Sequence, residues 1–329
     1  MNLETHAGMS LSATRTETLK GFVTEIFEKL GVPAEAARSS AAALVAADVE
    51  GMSSHGVALV PLYVERILAG SVSTATEPKI VHDGGSAIVL DAGNTLGQLS
   101  SDWVLPMVSE RAREHGLACI AVRNGSHFGT ATFWARQIAE SGLVGIVMCN
   151  SRPLKPPPGG TERLTGNNAL AIALPSRDPH PLVAELEAGA TPAGPAAAVA
   201  ALLRANSGAK GFGLAAAIDL LCGGLSGGAI GAEVGAFNGD PAVPYRSSHL
   251  FIAIDPVRFG ISDLDARVAQ FADHIRNSRR ASGVERLFAP GERERARRAE
   301  GAGECLLPPE LLAKLMDCGA KVGVESRLE

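Results

Sequence analysis

The stretch Val122–Asn150 reads VRNGSHFGTATFWARQIAESGLVGIVMCN, and it decides the fold class. It opens at the end of an apolar strand, Ala118–Arg123 (ACIAVR), and turns through Asn124-Gly125-Ser126 to His127. A helix is predicted from Gly129 to Gly142, where glycine tolerates the reversal of the backbone. A second apolar run, Val144–Cys149, follows as a strand. Strand, turn, helix and strand in succession indicate an α/β core. A histidine at the hinge of such a unit suits proton chemistry.

Upstream, Ala87–Asp91 (AIVLD) is strand-like, and a helix spans about Leu96–His115. Earlier still, Leu19, Phe22, Val23, Ile26, Phe27 and Leu30 recur at helical spacing, and Gly31 and Pro33 end that helix. A second helix runs from about Pro33 to Asp48 or Glu50. The polar loop Gly51-Met52-Ser53-Ser54-His55-Gly56 leads into a third, with Val57, Val60, Tyr63, Ile67 and Leu68 expected inward.

Downstream, Ser151–Gly160 (SRPLKPPPGG) must be irregular, because each proline removes a donor and fixes φ. Ala169–Pro175 and Leu182–Leu186 are short strands; the alanine-rich Gly189–Gly208 reads as loop plus helix. A helix from Lys210 to about Leu225, a glycine-dense and flexible Gly223–Gly235, and a strand at His249–Asp255 come next. Helices at Asp263–Ser282, Arg293–Glu300 and Pro308–Cys318 close the chain. The expected division is a helical segment 1–80, a central α/β domain 81–255, shortened near 189–208, and a helical segment 256–329 that packs on the first.

The composition narrows the function. With 329 residues, 46% of them hydrophobic, the chain can bury real cores. Only 4% are aromatic and the net charge is -5, which argues against a nucleic-acid partner. The basic residues of Arg276–Arg298 are interrupted by Glu285, Glu292 and Glu294 and read as a solvated helical face. The five cysteines form no CxxC pair and no metal framework, and free thiols fit a reducing compartment. No apolar run is long enough to span a bilayer, and the amino terminus lacks a secretory h-region. The expectation is a cytoplasmic protein with a small-molecule substrate.

No GxGxxG unit stands between a strand and a helix, and no Walker loop is present. Two histidines do sit in glycine-flanked polar loops, Ser54-His55-Gly56 and Ser126-His127-Phe128-Gly129. Each alone reads more readily as a surface or capping residue; two in similar Ser-His settings bring acid/base work nearer to parity with that reading. The other six histidines carry no such surroundings. Asp219 and Glu185 lie in apolar runs, and for Asp219 a solvent-facing position is at least as good a reading as a paired one.

Together, Gly51–Tyr63 (GMSSHGVALVPLY), Asn124–Gly129 (NGSHFG), Pro158-Gly159-Gly160, Gly166–Pro175 (GNNALAIALP), Lys210–Leu221 (KGFGLAAAIDLL) and Pro290-Gly291-Glu292 resemble the type-2 malate/L-lactate dehydrogenase family, also called sulfolactate dehydrogenase-like. The resemblance spans nearly the whole chain. It implies a non-Rossmann fold with a central mixed sheet and packed amino- and carboxy-terminal helices. It also implies a homodimer and NAD or NADP as cofactor. By resemblance, His127 is the acid/base, with His55 and Ser54 beside it; Tyr63, Leu59, Ser126 and Asn150 border the substrate. Pro158, Gly159, Gly160, Asn167, Asn168, Glu185, Lys210 and Gly211 surround the cofactor.

The chain also departs from the family pattern. Leu59 stands where the family has a carboxylate-gripping arginine. Ala188 and Gly189 replace a Thr-Ser pair, and a segment expected after them is missing. Arg152, Lys155 or Arg246 could hold an anionic group instead of residue 59.

The resulting expectation is an NAD(P)-dependent oxidoreductase of specialised metabolism that reduces a C=O or C=N group with His127 as proton donor. The alternative is a cofactor-independent lyase, isomerase, cyclase or hydrolase using His127 and His55. A catalytically dead binding protein is the third.

Overall fold

The computed structural model describes residues 11–74, 77–187 and 208–328. The strand–turn–helix–strand unit is present as β4 (Leu117–Gly125), α5 (Ala131–Glu140) and β5 (Val144–Cys149). Gly129 takes a left-handed φ of 84°, so α5 begins two residues later, where the Thr130 hydroxyl accepts from the Phe133 N–H.

The strands β4 and β5 are not neighbours. Between them runs β8 (Ser247–Ile254), antiparallel to both, with His249 opposite Val122 on one side and Cys149 on the other. The other strands are β2 (Lys79–Asp83), β3 (Ala87–Asp91), β6 (Ala169–Leu174) and β7 (Leu182–Glu187). The seven-stranded order is β2-β3-β4-β8-β5-β6-β7, antiparallel except for the parallel β3/β4 pair. This is the mixed central sheet that the resemblance implies.

One face of the sheet packs Ile120, Val122, Val147 and Phe251 against α4 (Gly97–His115) and α5, with Val104, Val108, Trp134 and Ile138 inward. The other face sets Ala121, Met148 and Leu250 against Ala215 and Ile218 of α6 (Gly208–Asp219) and the buried Cys222 beyond it. A separate apolar core joins α1 (Thr16–Lys29), α2 (Ala34–Val49) and α3 (Val60–Leu68) to α9 (Pro309–Lys321), through Leu19, Phe22, Leu44, Tyr63, Leu312 and Leu315. Between these segments come α7 (Leu264–Arg276) and α8 (Glu292–Glu300).

The structure differs from the sequence reading in several places. A two-stranded sheet of β1 (Ser12–Arg15) and β9 (Glu304–Leu307) ties the ends of the chain together. Four-residue strands give too little alternation to stand out. The edge strand β2 is exposed along its whole length, so it lacks the half-buried pattern of a strand. In α3, Leu68 is 66% exposed, while Arg66 is buried, because carbonyls from another loop satisfy its guanidinium.

Near Gly223–Gly235 the glycines serve close packing. A Cβ on Gly228 would sit 2.6 Å from the Ser248 hydroxyl, and the Gly228 N–H donates to the Gly223 carbonyl at 2.8 Å. Helix α7 ends at Arg276, where Asn277 and Ser278 side chains bond the carbonyls of Asp273 and Ile275. Arg276 is not simply solvated; it pairs with Asp178, Asp273 and Glu292. The alanine-rich stretch 189–207, with Ala188, lies outside the described residues.

Candidate active site

The loop carrying His127 is held from several sides. Asn124, at a left-handed φ of 51°, donates to both carboxylate oxygens of Asp91 at 3.1 Å. A Cβ on Gly97 would lie 2.5 Å from the carbonyls of both Ser126 and His127, so only glycine lets α4 start against this loop. The buried Trp134 indole donates to the Phe128 carbonyl at 2.8 Å.

The His127 ring stacks between two others, His55 at 5.6 Å and Phe237 at 5.0 Å between centroids. Its Nδ1 lies 2.7 Å from the Tyr63 hydroxyl and 3.3 Å from the Gly129 N–H. Tyr63 accepts from Gln98 Nε2 at 2.9 Å, and the His127 carbonyl is a second acceptor for its proton at 3.1 Å. The hydroxyl can therefore donate to Nδ1, or accept from it while its own proton turns to the carbonyl. Either arrangement commits Nδ1 to the protein and leaves Nε2 as the ring nitrogen available for chemistry.

Burial first, and then the nearby His55 and His249, push His127 down to about 3. Burial keeps the Tyr63 phenol well above its usual range, hence neutral. The ring is consequently uncharged at neutral pH unless an anion comes to rest beside it.

Two further anchors hold the surroundings. Asp48 accepts from the Val57 N–H at 2.7 Å, and its carboxylate fills the space over Gly56, where a Cβ would be only 2.2 Å away. It thereby fixes the loop that presents His55, whose Nδ1 lies 3.0 Å from the Ser54 hydroxyl. Burial raises Asp48 to about 7, against the Val57 and Ser53 hydrogen bonds. Arg66 donates to the carbonyls of Phe237, Val243 and Ala236 at 2.7–2.8 Å, and its guanidinium lies 5.2 Å from the Phe237 ring centre. It thus sets the aromatic ring on which His127 stacks.

A 440 Å³ cavity opens beside His127; His55, Leu59, Arg152, Asn167 and Tyr245 are among its walls. A second, of 630 Å³, is lined by Glu50, Met52, Arg136, Val183, Gly291 and Arg295 among others. Ser54, His55 and Glu185 line both, so the two adjoin at the histidine loop. Each volume suits a small molecule or part of a larger cofactor.

The remaining predicted residues fall elsewhere. Tyr63 is fully buried behind His127, and Ser126 is buried in the loop. Asn150, expected at the substrate, is fully buried and lines neither cavity. Both N–H groups of its amide are satisfied, by Asp219 at 2.9 Å and the Ala229 carbonyl at 2.8 Å, while its oxygen accepts from Ser248 at 2.7 Å. Asp219 is accordingly buried and paired, not solvated.

Asn168 borders the His127 cavity, but its side chain bridges the Ser151 N–H and the Ala215 carbonyl. Pro158, Gly159 and Gly160 form an exposed turn, Lys210 is exposed and Gly211 buried on α6; none of them lines either cavity.

Sequence reasoning missed Phe237, Tyr245, Gln98 and Arg66, which come from distant segments without a local motif. It also assigned nothing to His249. That ring stacks on Phe128 at 4.2 Å, meets the Ser247 hydroxyl at 2.9 Å, and is pushed by burial to about 3. The one signal was a histidine opening an otherwise apolar strand.

The helix-flanked mixed sheet is also the fold of solved malate and sulfolactate dehydrogenases. The family model described as malate/L-lactate dehydrogenase matches residues 14–194 and 184–316, the two pieces overlapping on β7 and the stretch that follows it. Malate dehydrogenase of Pyrococcus abyssi is 31% identical over 313 residues, covering 84% of this chain and 85% of that one. Ureidoglycolate dehydrogenase (NAD(+)) of Escherichia coli K12 is 28% identical over 88% of this chain and 90% of that one. The solved malate dehydrogenase of Pyrococcus horikoshii OT3 superposes with a TM-score of 0.87 at 28% identity, over 96% of this chain and 97% of that one. The chain belongs to the malate/L-lactate dehydrogenase family and is an oxidoreductase.

Proposed function

We propose that the chain is an NAD(P)-dependent reductase or dehydrogenase acting on a C=O or C=N group of a small 2-keto- or imino-acid-like molecule, with His127 Nε2 handling the proton. The observation that carries this reading is the Tyr63–His127 pair. A hydroxyl with two acceptors, Nδ1 and the His127 carbonyl, lets the ring carry its proton on either nitrogen. With an anionic group beside it the ring is favoured as imidazolium, whose Nδ1–H donates to the Tyr63 hydroxyl while Nε2 gives its proton to a nascent alkoxide or amine, leaving the neutral ring, and takes it back in the reverse direction. The neighbouring ring of His55 and the Phe237 face keep this nitrogen oriented.

The nicotinamide group, when bound, supplies or accepts the hydride at the substrate carbon. The residues present fit such a cofactor. The larger cavity adjoins the His127 cavity, Glu185 at the junction offers a carboxylate to a ribose hydroxyl, and Arg295 offers a partly buried guanidinium. Asn167, Ser54 and Leu59 border the substrate side.

A homodimer in the cytoplasm completes the proposal. Exposed apolar side chains such as Leu220 and Leu225 give a second copy something to cover, and the five free cysteines suit a reducing compartment.

Turnover tests the reading. Purified protein is incubated with NADH or NADPH and a panel of 2-keto acids and cyclic imino acids, and loss of absorbance of the reduced cofactor is followed. Saturable oxidation of one cofactor by at least one substrate supports it. Two features, Leu59 and the split of the family match into two pieces that overlap at β7, favour a second reading: an acid/base enzyme that needs no nicotinamide. Turnover that is lost in His127→Ala yet indifferent to added nicotinamide would establish that alternative.

A further inference from the structure

The polar groups around His127 divide sharply by what they bond. The Tyr63 hydroxyl, Gln98 amide and Arg66 guanidinium are held by protein partners. Arg136 is likewise held by Glu50 at 2.7 Å, and Arg123 by Asp91 at 2.9 Å. Arg152 is different. It lines the 440 Å³ cavity, is partly buried, and makes no hydrogen bond or ion pair with any described residue. It is the only Lys or Arg among the residues lining that cavity; Lys155 and Arg246 are not on its wall.

Tyr245 lies on the same wall. It is only 8% exposed, its ring packs 5.6 Å from that of Phe237, and no hydrogen bond joins its hydroxyl to another described residue. The two side chains are electrostatic neighbours: burial, and then Cys149, push the Tyr245 phenol up, while Arg152 pulls it down. A neutral O–H and a positive charge, neither bonded to a described residue, therefore line one cavity whose lining also includes the apolar Leu59 and Leu62. A half-buried guanidinium and a phenol that bond no described residue and line one cavity mark a place where an acceptor can be received.

We infer that Arg152 and Tyr245 form an anion subsite that grips the carboxylate of the substrate, placing its reactive carbon against His127. The planar guanidinium donates two parallel bonds to a carboxylate, and the phenol adds a third from the side. The subsite selects small molecules with a carboxylate close to the reacting group and excludes amides and esters of the same shape. This inference deepens the proposed reading and rests on it for the role of His127, but the subsite itself can be tested without turnover.

The probe is oxalate, a small planar dicarboxylate, with oxamide as its uncharged counterpart, titrated into the full chain by calorimetry. Oxalate is expected to bind and oxamide not. Arg152→Gln is expected to weaken oxalate about 10- to 100-fold, the loss of a charge-assisted pair, and Tyr245→Phe roughly 5- to 10-fold. Arg152→Lys should restore part of the affinity. Both sites keep their folded surroundings, because Arg152 bonds no described residue and Tyr245→Phe removes one oxygen; an unchanged melting temperature verifies this.

No oxalate binding to the wild type, equal binding of oxamide, or unchanged affinity in Arg152→Gln would each overturn the inference. If oxalate binding depends on Arg152 but no keto or imino acid oxidises NADH or NADPH, the subsite stands and the redox reading fails. If turnover occurs and Arg152→Gln changes neither KM nor oxalate binding, the redox reading stands and the subsite fails.

Discussion

The two walls of the His127 cavity are built on opposite principles. On one, His127 and Phe237 are backed by residues behind the cavity: Gln98 donates to the Tyr63 hydroxyl, that hydroxyl meets His127 Nδ1, and Arg66 donates to the Phe237 carbonyl. On the other, Arg152 and Tyr245 bond to no described residue, and Leu59 offers no polar group at all. The first wall is held by protein partners, so it keeps a proton donor at fixed geometry with little reorganisation during reaction. The second becomes complete only around a ligand. Substitutions should therefore act differently on the two sides: on rate and stability on the first, on affinity on the second.

The largest expected effect is at Nε2 itself. His127→Ala should lower kcat by about 10²–10⁴-fold, the usual contribution of a positioned acid/base, measured with the best substrate of the panel. Next comes the support beneath it. Arg66→Met would leave three backbone carbonyls without their donor, and should lower stability on the order of 3 kcal/mol, read by denaturant unfolding. A wild-type unfolding curve for Arg66→Met would show that the first wall is not held by this residue. A smaller change is expected from Tyr63→Phe. It keeps the ring but removes the hydroxyl that follows the proton, so kcat should fall roughly 10-fold, the scale of one hydrogen bond, and the pH profile should shift.

Proton linkage sharpens the contrast further. His127 and His249 are depressed to about 3 in the folded protein, against an ordinary value of about 6.5. The unfolded chain thus binds more protons below about 6.5, and the stability these rings allow is lost as pH falls from there toward 3. His249→Phe should lessen that acid sensitivity in thermal melts taken between pH 4 and 7. Asp48 has the opposite sign. It is raised to about 7, so the folded state favours the protonated carboxyl, and stability falls as pH rises from about 4 through 7. Asp48→Asn keeps an acceptor for the Val57 N–H and should flatten that decline. An unaltered pH dependence in either variant would mean that the group does not titrate as its burial implies.

Much of the fold was legible because local signals agreed. The helical spacing of Leu19, Phe22, Val23, Ile26 and Phe27 matches the buried face of α1, and the apolar runs around Asn124–Gly129 are β4 and β5. What could not be read is what only the assembled sheet creates. β8 inserts between β4 and β5, and thereby puts His249 under Phe128. Arg66 drew no reading, because its acceptors lie about 170 residues away in sequence. Asn150 was placed at the substrate only by the family resemblance; its amide is bonded to Asp219 and the Ala229 carbonyl. Short motifs located the two histidines; side-chain partners from distant segments gave each a role.

The most direct measurement compares His127→Ala with Arg152→Gln in one steady-state assay, using the substrate and reduced cofactor that the panel selects. The account predicts a split. His127→Ala should lose kcat with KM nearly unchanged, and Arg152→Gln should raise KM with kcat largely retained. If both substitutions lower the same parameter, or if His127→Ala turns over like the wild type, the division between a proton-handling wall and a substrate-gripping wall is wrong.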